Sequence, residues 1–302
     1  MQIINSLSEF HRLLSIAPPP HPLVSVVKVS ELHAIDSDIW KKFSTNFYTI
    51  SIKNNIQSKI KYGQNYYDFD SGTMTFTSPN QIQSVEVVDA NSFNSTIGTG
   101  YVLMVHPDFL GKHPLSAYIK TYSFFSYAVN EALHLSEKEE NNVTTIFKKI
   151  EEEYQHIDYH TQGVILAQID LLLQYSDRFY QRQFITRKAV NDDLLTRTEQ
   201  LITDYFNTEK AAQNGILTVE HLASQLNLSP DYLSDALRSL TGQNTQRHIH
   251  DKLIEKAKEK LSMTNLSVSQ IAYELGFEHP QSLNRLFKKK TDMSPLEFRQ
   301  SF

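Results

Sequence analysis

One segment occurs twice in the last third of the chain. Thr218-Val219-Glu220-His221-Leu222-Ala223-Ser224-Gln225-Leu226 lies over Ser267-Val268-Ser269-Gln270-Ile271-Ala272-Tyr273-Glu274-Leu275 at an offset of 49 residues. Past a tight turn the offset becomes 50, matching Leu233 with Leu283, Leu237 with Phe287 and Thr241 with Thr291. Each copy opens on a hydroxyl cap, carries an alanine in mid-helix and turns at Asn227-Leu228-Ser229 or Gly276-Phe277-Glu278. A more polar helix then begins beside Pro230 or Pro280, a residue suited to a helix's first turn. The small alanine lets two helices cross closely, so each copy is expected to be a helix-turn-helix. One such pattern resembles any corner between helices; two in shared register at a fixed offset are specific.

Between the copies, residues 246–262 read as one helix with Ile249, Leu253, Ala257 and Leu261 on its inward stripe. At about 1.5 Å per residue it is a rod of about 25 Å. With the flanking half-domains, it would set two reading helices one DNA turn, about 34 Å, apart.

The first 110 residues have a different texture. Short apolar runs rich in β-branched and aromatic residues fall at 24–29, 47–52, 56–62, 73–77, 82–88 and 101–105, separated by turn-prone residues. They predict an antiparallel barrel or sandwich. Helical periodicity starts near His113, with helices expected over 114–128, from Ser136 towards Gln155, and from Asp158 to about Phe184. Ser136-Glu137-Lys138-Glu139 has the form of a capping box. The stripe Ile165, Ile169, Leu172 and Leu173 serves either packing on the strands or a dimer face. Residues 187–192 read as a linker, and the domain boundary is placed near 189.

Composition narrows the classes. The 302 residues contain no cysteine, which excludes disulfides, thiolate metal sites and a cysteine nucleophile. No window approaches the about 20 apolar residues of a membrane span, and residues 1–20 lack a signal-peptide pattern, so a soluble cytoplasmic protein is expected. The formal net charge is −5, and residues 190–302 hold 13 Lys and Arg against 15 Asp and Glu. From His279 onward the balance reverses, with five cations against two acids. Binding to a polyanion follows the potential of the facing surface rather than the total.

The stretches 266–277 and 282–299, running from Leu266-Ser267-Val268 to Leu296-Glu297-Phe298-Arg299, resemble the AraC/XylS-type bacterial transcription regulators. The resemblance covers about residues 191–302. More loosely, the strand-rich start, Val105-His106-Pro107-Asp108-Phe109-Leu110 and the paired helices resemble that family's cupin-like effector domains. It implies an α+β multidomain chain. A β-rich cupin-like sensor barrel (1–135) would precede a helical dimerisation segment with a linker (136–189) and an all-α DNA-binding domain with two helix-turn-helix units (190–302). By the resemblance, Asp231, Ser234 and Asp235 read bases in the first unit, and Pro280, Gln281, Asn284 and Arg285 in the second. Arg238, Ser282, Lys288, Lys289 and Lys290 would meet phosphates. A guanidinium fork at Arg285 suits guanine O6 and N7, and an amide at Gln281 suits adenine. Two departures stand out: Asp235 where an arginine is common, and Asp292 in place of a glycine after the second reading helix. The implied partners are double-stranded promoter DNA, a second copy of the chain, RNA polymerase as a candidate, and an effector of unknown identity. No cofactor is expected.

Other constellations are weaker. His156 and His160, four apart on an expected helix, can face one metal ion but have no evident third ligand. No His-x-His pair falls in the strand region, which argues against a metal-dependent cupin enzyme. Tyr62, Tyr66, Tyr67, Phe69 and Phe76 are either core or the wall of a small-molecule pocket. Signal-controlled regulation, constitutive DNA binding with an N-terminal part that only dimerises, and a fused cupin enzyme remain as readings, in that order.

Overall fold

The computed structural model describes residues 2–32, 42–54, 56–62, 65–69, 72–83, 86–87, 99–128, 131–186 and 188–301; for 56–62, 65–69, 86–87 and 188–192 the description covers the backbone alone. The chain divides into two compact units, Met1–Gln183 and Phe184–Phe302.

In the first unit the described strands are β1 (Gln2–Ile4), β2 (Val24–Lys28), β3 (Phe43–Thr45), β4 (Tyr48–Asn54), β5 (Ile56–Tyr62), β6 (Asn65–Phe69), β7 (Thr73–Thr77), β8 (Ile82–Gln83), β9 (Glu86–Val87), β10 (Thr99–Val105) and β11 (Leu133–His134). The central sheet is antiparallel with strand order β11-β7-β4-β10-β2. β10 is apolar on both faces, while β4 and β7 carry Ser51 and Thr75 on one of theirs. Leu103 pairs with Ile50, and Ile50 with Phe76, on one face. On the other, Val102 and Met104 join Ile4, Leu7, Val27, Phe43 and Phe47 in one buried cluster. Leu7 belongs to α1 (Leu7–Leu13), an N-terminal helix whose apolar spacing the sequence reading passed over. The remaining strands form two smaller sheets, β1-β3-β8 and β6-β5-β9, and β1 runs parallel to β3. The strand-rich region is therefore as expected, but no closed barrel is seen among the described residues.

Helices follow: α2 (Pro107–Leu110), α3 (Leu115–Tyr118), α4 (Glu137–Glu153) and α5 (Thr161–Thr186). The single helix expected over 114–128 is replaced by α3 and two 3₁₀ turns, Ile119–Thr121 and Ser123–Ser126. The reason is aromatic crowding. Phe124 and Phe125 are both buried and both meet Phe76, while Phe124 also stacks on Tyr180. The Ser136 N–H donates to Glu139 at 2.8 Å at the start of α4. At its far end, Tyr154 both accepts from the Val26 N–H (3.1 Å) and donates to the Val26 carbonyl (2.9 Å). Ile165, Ile169, Leu172 and Leu173 are buried inside this unit, so they are core and not a dimer face. Val164, Ala167 and Leu171 are among the residues α5 leaves exposed.

The second unit is helical throughout its described residues: α6 (Lys188–Asn207), α7 (Lys210–Asn214), α8 (Val219–Leu226), α9 (Pro230–Thr241), α10 (Thr245–Met263), α11 (Val268–Glu274), α12 (Pro280–Thr291) and α13 (Pro295–Gln300). Residues 188–192, expected as a linker, lie within α6. The two copies have the expected plan: α8 and α9 pair through Ala223, α11 and α12 through Ala272, and both alanines are fully buried. The caps are the hydroxyls read from sequence. His221 N–H donates to Thr218, and Gln270 N–H donates to Ser267. Ile249, Leu253, Ala257 and Leu261 of α10 share one apolar cluster with both pairs. The rod is thus the spine of a single core, not a spacer between two.

Two glycines make that continuity possible. Gly276, in the second turn at φ +88°, abuts Gly215, and a Cβ there would lie 2.5 Å from the Gly215 carbonyl carbon and 2.7 Å from the Ala211 oxygen. Gly242 ends α9 at φ +76° with open space around it, and Asp292 ends α12 in the same left-handed conformation at φ +59°. Each donates its N–H one turn back at 2.9 Å, to Arg238 or Lys288. The departure at Asp292 therefore leaves the helix end unaltered, since aspartate tolerates this conformation at modest cost. Gly276→Ala is expected to cost about 2–5 kcal/mol, strain and overlap combined, and Gly242→Ala only the strain of about 1–2 kcal/mol. Asp292→Gly should gain about 1 kcal/mol. Hydrogen-exchange protection across α10–α12 in the full chain measures all three.

Candidate nucleic-acid interface

Leu283 and Phe287 turn inward and set the orientation of α12. Taking about 100° per residue, Gln281, Ser282, Arg285, Lys288 and Lys289 fall within about 60° of Arg285 on the opposite side. All five are exposed, as is Asn284 on the flank, while Pro280 is half-buried in the first turn. No acid interrupts this face. It combines a guanidinium, an amide, a hydroxyl and two ammonium groups on a helix of a width that a major groove accepts.

The matching face of α9 is built differently. Asp231 is exposed in the first turn and Asp235 lies one turn on. Arg238 is ion-paired with Asp235, whose side chain is 13% exposed, so this face's nearest guanidinium is already engaged. The Ser234 hydroxyl donates to the buried Thr245 of α10 at 3.2 Å, turned towards the core rather than outward. Tyr232, at the position of Ser282 in the other copy, is buried.

The three-lysine run at the end of α12 divides. Lys288 and Lys289 are exposed, but Lys290 bonds Asp251 of α10 at 2.6 Å. Beside that pair, burial first, then Lys290 and Lys289, push the His250 imidazole below its usual range, and Asp251 opposes them. Arg299 likewise turns inward, donating to the Leu261 carbonyl at 3.2 Å. Along one flank of α12, Asn284, Arg285 and Lys288 border a groove of about 560 Å³ whose other wall is Val268, Pro295 and Leu296. Sequence reading missed the roles of Asp251, Thr245 and Leu296. The first two lie on the rod between the copies, where only their distance to the reading helices makes them relevant.

The remaining candidates are dispersed. Phe76 is core, packed on Phe124, Phe125 and Tyr180. The side chains of Tyr62, Tyr66, Tyr67 and Phe69 lie outside the described residues. His156 is not helical: α4 ends at Glu153 and α5 begins at Thr161, because Asp158 accepts the N–H groups of His160 and Thr161 as a cap. No group of three possible metal ligands occurs among the described residues, and no described helix is long and apolar enough to cross a membrane.

Residues 222–301 match the family described as a helix-turn-helix domain. The transcriptional regulator YijO of Escherichia coli is 30% identical over 103 residues, 34% of this chain and 35% of its own. The transcriptional activator RhaS of Klebsiella pneumoniae is 28% identical over 143 residues, 46% of each chain. Among solved structures, the C-terminal domain of the response regulator AraT from Geobacillus stearothermophilus is 29% identical, covering 36% of this chain and 85% of that one, with a TM-score of 0.32. The chain thus spans about a third to a half of the length of these curated relatives. The repeat, the shared core and the sequence matches converge on the second unit, which is similar to the helix-turn-helix regions of these regulators.

Proposed function

We propose that the chain is a sequence-specific DNA-binding transcription regulator in which residues 190–302 address two successive major grooves. The carrying observation is the outward face of α12, where Gln281, Arg285, Lys288 and Lys289 stand exposed with no acid among them. Arg285 reads a guanine, Gln281 and Asn284 contact neighbouring bases, and Ser282, Lys288 and Lys289 position the helix on phosphates. Asp231, Ser234 and Arg238 add little on the α9 side, where Asp235 neutralises the one cation. Asp235 acts there as a brake on non-specific binding, since a carboxylate near phosphates meets like charge. In this reading residues 1–135 form a cupin-like sensor that answers a small-molecule or protein signal, and 136–189 include the dimerisation segment. A second copy docks on the outer face of α5, where Val164, Ala167 and Leu171 are exposed. A cytoplasmic location and the absence of catalysis go with it.

Arg285→Ala should weaken binding by about 1–3 kcal/mol and relax preference at one guanine. Asp235→Ala should leave affinity unchanged or raise it while loosening specificity in the first half-site, because Arg238 is released. Both are measured in the full chain against a duplex recovered from random-sequence DNA by the unaltered protein and against its scrambled form, at matched salt. If Asp235→Ala costs as much as Arg285→Ala, the dominance of the second unit is wrong.

The dimer is checked by sedimentation at micromolar concentration. Leu171→Glu should give a monomer with native helix content, and a wild-type chain that sediments only as monomer would remove the dimer from this account.

A further inference from the structure

The end of each reading helix is tied to the same turn of α10. Thr241, the last residue of α9, bonds His248 through its hydroxyl at 2.9 Å. Lys290, in the last turn of α12, bonds Asp251 at 2.6 Å. Positions 248 and 251 are three apart, so the two ties leave neighbouring points on one helix. Lys290 also lies about 140° around α12 from Arg285, on the edge of the buried face. Its side chain is 23% exposed, whereas Lys288 and Lys289 are both exposed. An ammonium so placed cannot lie in the groove that Arg285 enters.

We infer that Lys290 is not a phosphate contact but one half of a positioning pair, and that Asp251 is a specificity-determining residue for DNA reading although it touches no DNA. The pair holds the last turn of α12 to the rod. Together with the His248 tie on α9, it sets the angle at which Gln281 and Arg285 present their planar groups to base edges. Bidentate recognition is sensitive to that angle, whereas a lysine meeting a phosphate as a point charge is tolerant of it. Loosening the pin should therefore reduce discrimination more than overall attraction. This inference rests on the DNA-binding reading above, and its test separates the two.

The experiment uses the full chain and four proteins: wild type, Asp251→Asn, Lys290→Met and the double variant. Without DNA, amide exchange over the last turn of α12 should quicken to the same extent in all three variants; unchanged exchange overturns the pin whatever happens on DNA. With the duplex recovered from random-sequence DNA, each single variant should lose about threefold to fivefold in the ratio of selected to scrambled affinity, the size of an exposed ion pair. The double variant should lose no more. The slope of log K against log salt should stay at the wild-type value in every variant. A phosphate contact predicts the reverse: Lys290→Met lowers that slope by about 0.9 and Asp251→Asn strengthens binding by freeing the lysine. Either result overturns the proposal. A wild-type chain with no preference between the duplexes strikes the regulator reading itself, and the exchange result then stands as a purely structural finding.

Discussion

The arrangement of the second unit depends on a contact between two peptide backbones. Gly276 lies so close to Gly215 that a methyl on Gly276 would overlap the backbone at the end of α7. Because the backbones meet there, α11 can settle onto the same core as α6 and α8. The stripe of α10 then serves both helix pairs at once. Had a side chain intervened, the halves would be two small domains on a rod, each too small to bury much apolar surface. One shared core also couples the positions of the two reading helices, which suits a protein that must address two grooves in one register.

Charge is distributed unequally across that rigid frame. In α12 the acids are kept off the outward face, and the one lysine near the buried face has its own counter-ion in Asp251. In α9 the counter-ion, Asp235, sits on the outward face itself. The two copies share a backbone plan, yet one presents positive potential and the other is close to self-neutral. A repeat therefore preserves packing positions such as Ala223 and Ala272 while its solvent face drifts.

Much of the second unit was legible because its constraints are local. Helix caps, Pro230 and Pro280 in first turns, and the alanine crossings act within a few residues, so their spacing in the sequence is their spacing in space. The outward face of α12 was read from the family resemblance, carried residue by residue onto this chain. What could not be read were relations across the fold. Ser234 and Lys290 occupy positions that the family resemblance assigns to DNA, and only the distance to Thr245 or Asp251 shows that each turns towards the rod. The stripe of α5 has the same origin: Ile165, Ile169 and Leu172 look like surplus apolar surface until their burial within the first unit is seen. In the first unit, alternation located the strands, but not which sheet each joins or the helix α1 that covers β10.

Tyr154 carries a consequence for how the chain is made. Its hydroxyl satisfies both polar groups of Val26, the middle residue of a strand that pairs on only one side in the central sheet. The two residues are 128 positions apart. During synthesis, β2 emerges early, waits for β10 to pair with it, and then waits about fifty residues more for the tyrosine that closes its free edge. Over that interval the nascent chain exposes an apolar strand able to pair with another copy. In the second unit the backbone contact of Gly276 with Gly215 spans 61 residues, about half the 128 between Val26 and Tyr154. The stretch from 105 to 154 is therefore the interval over which this edge goes without its closing residue.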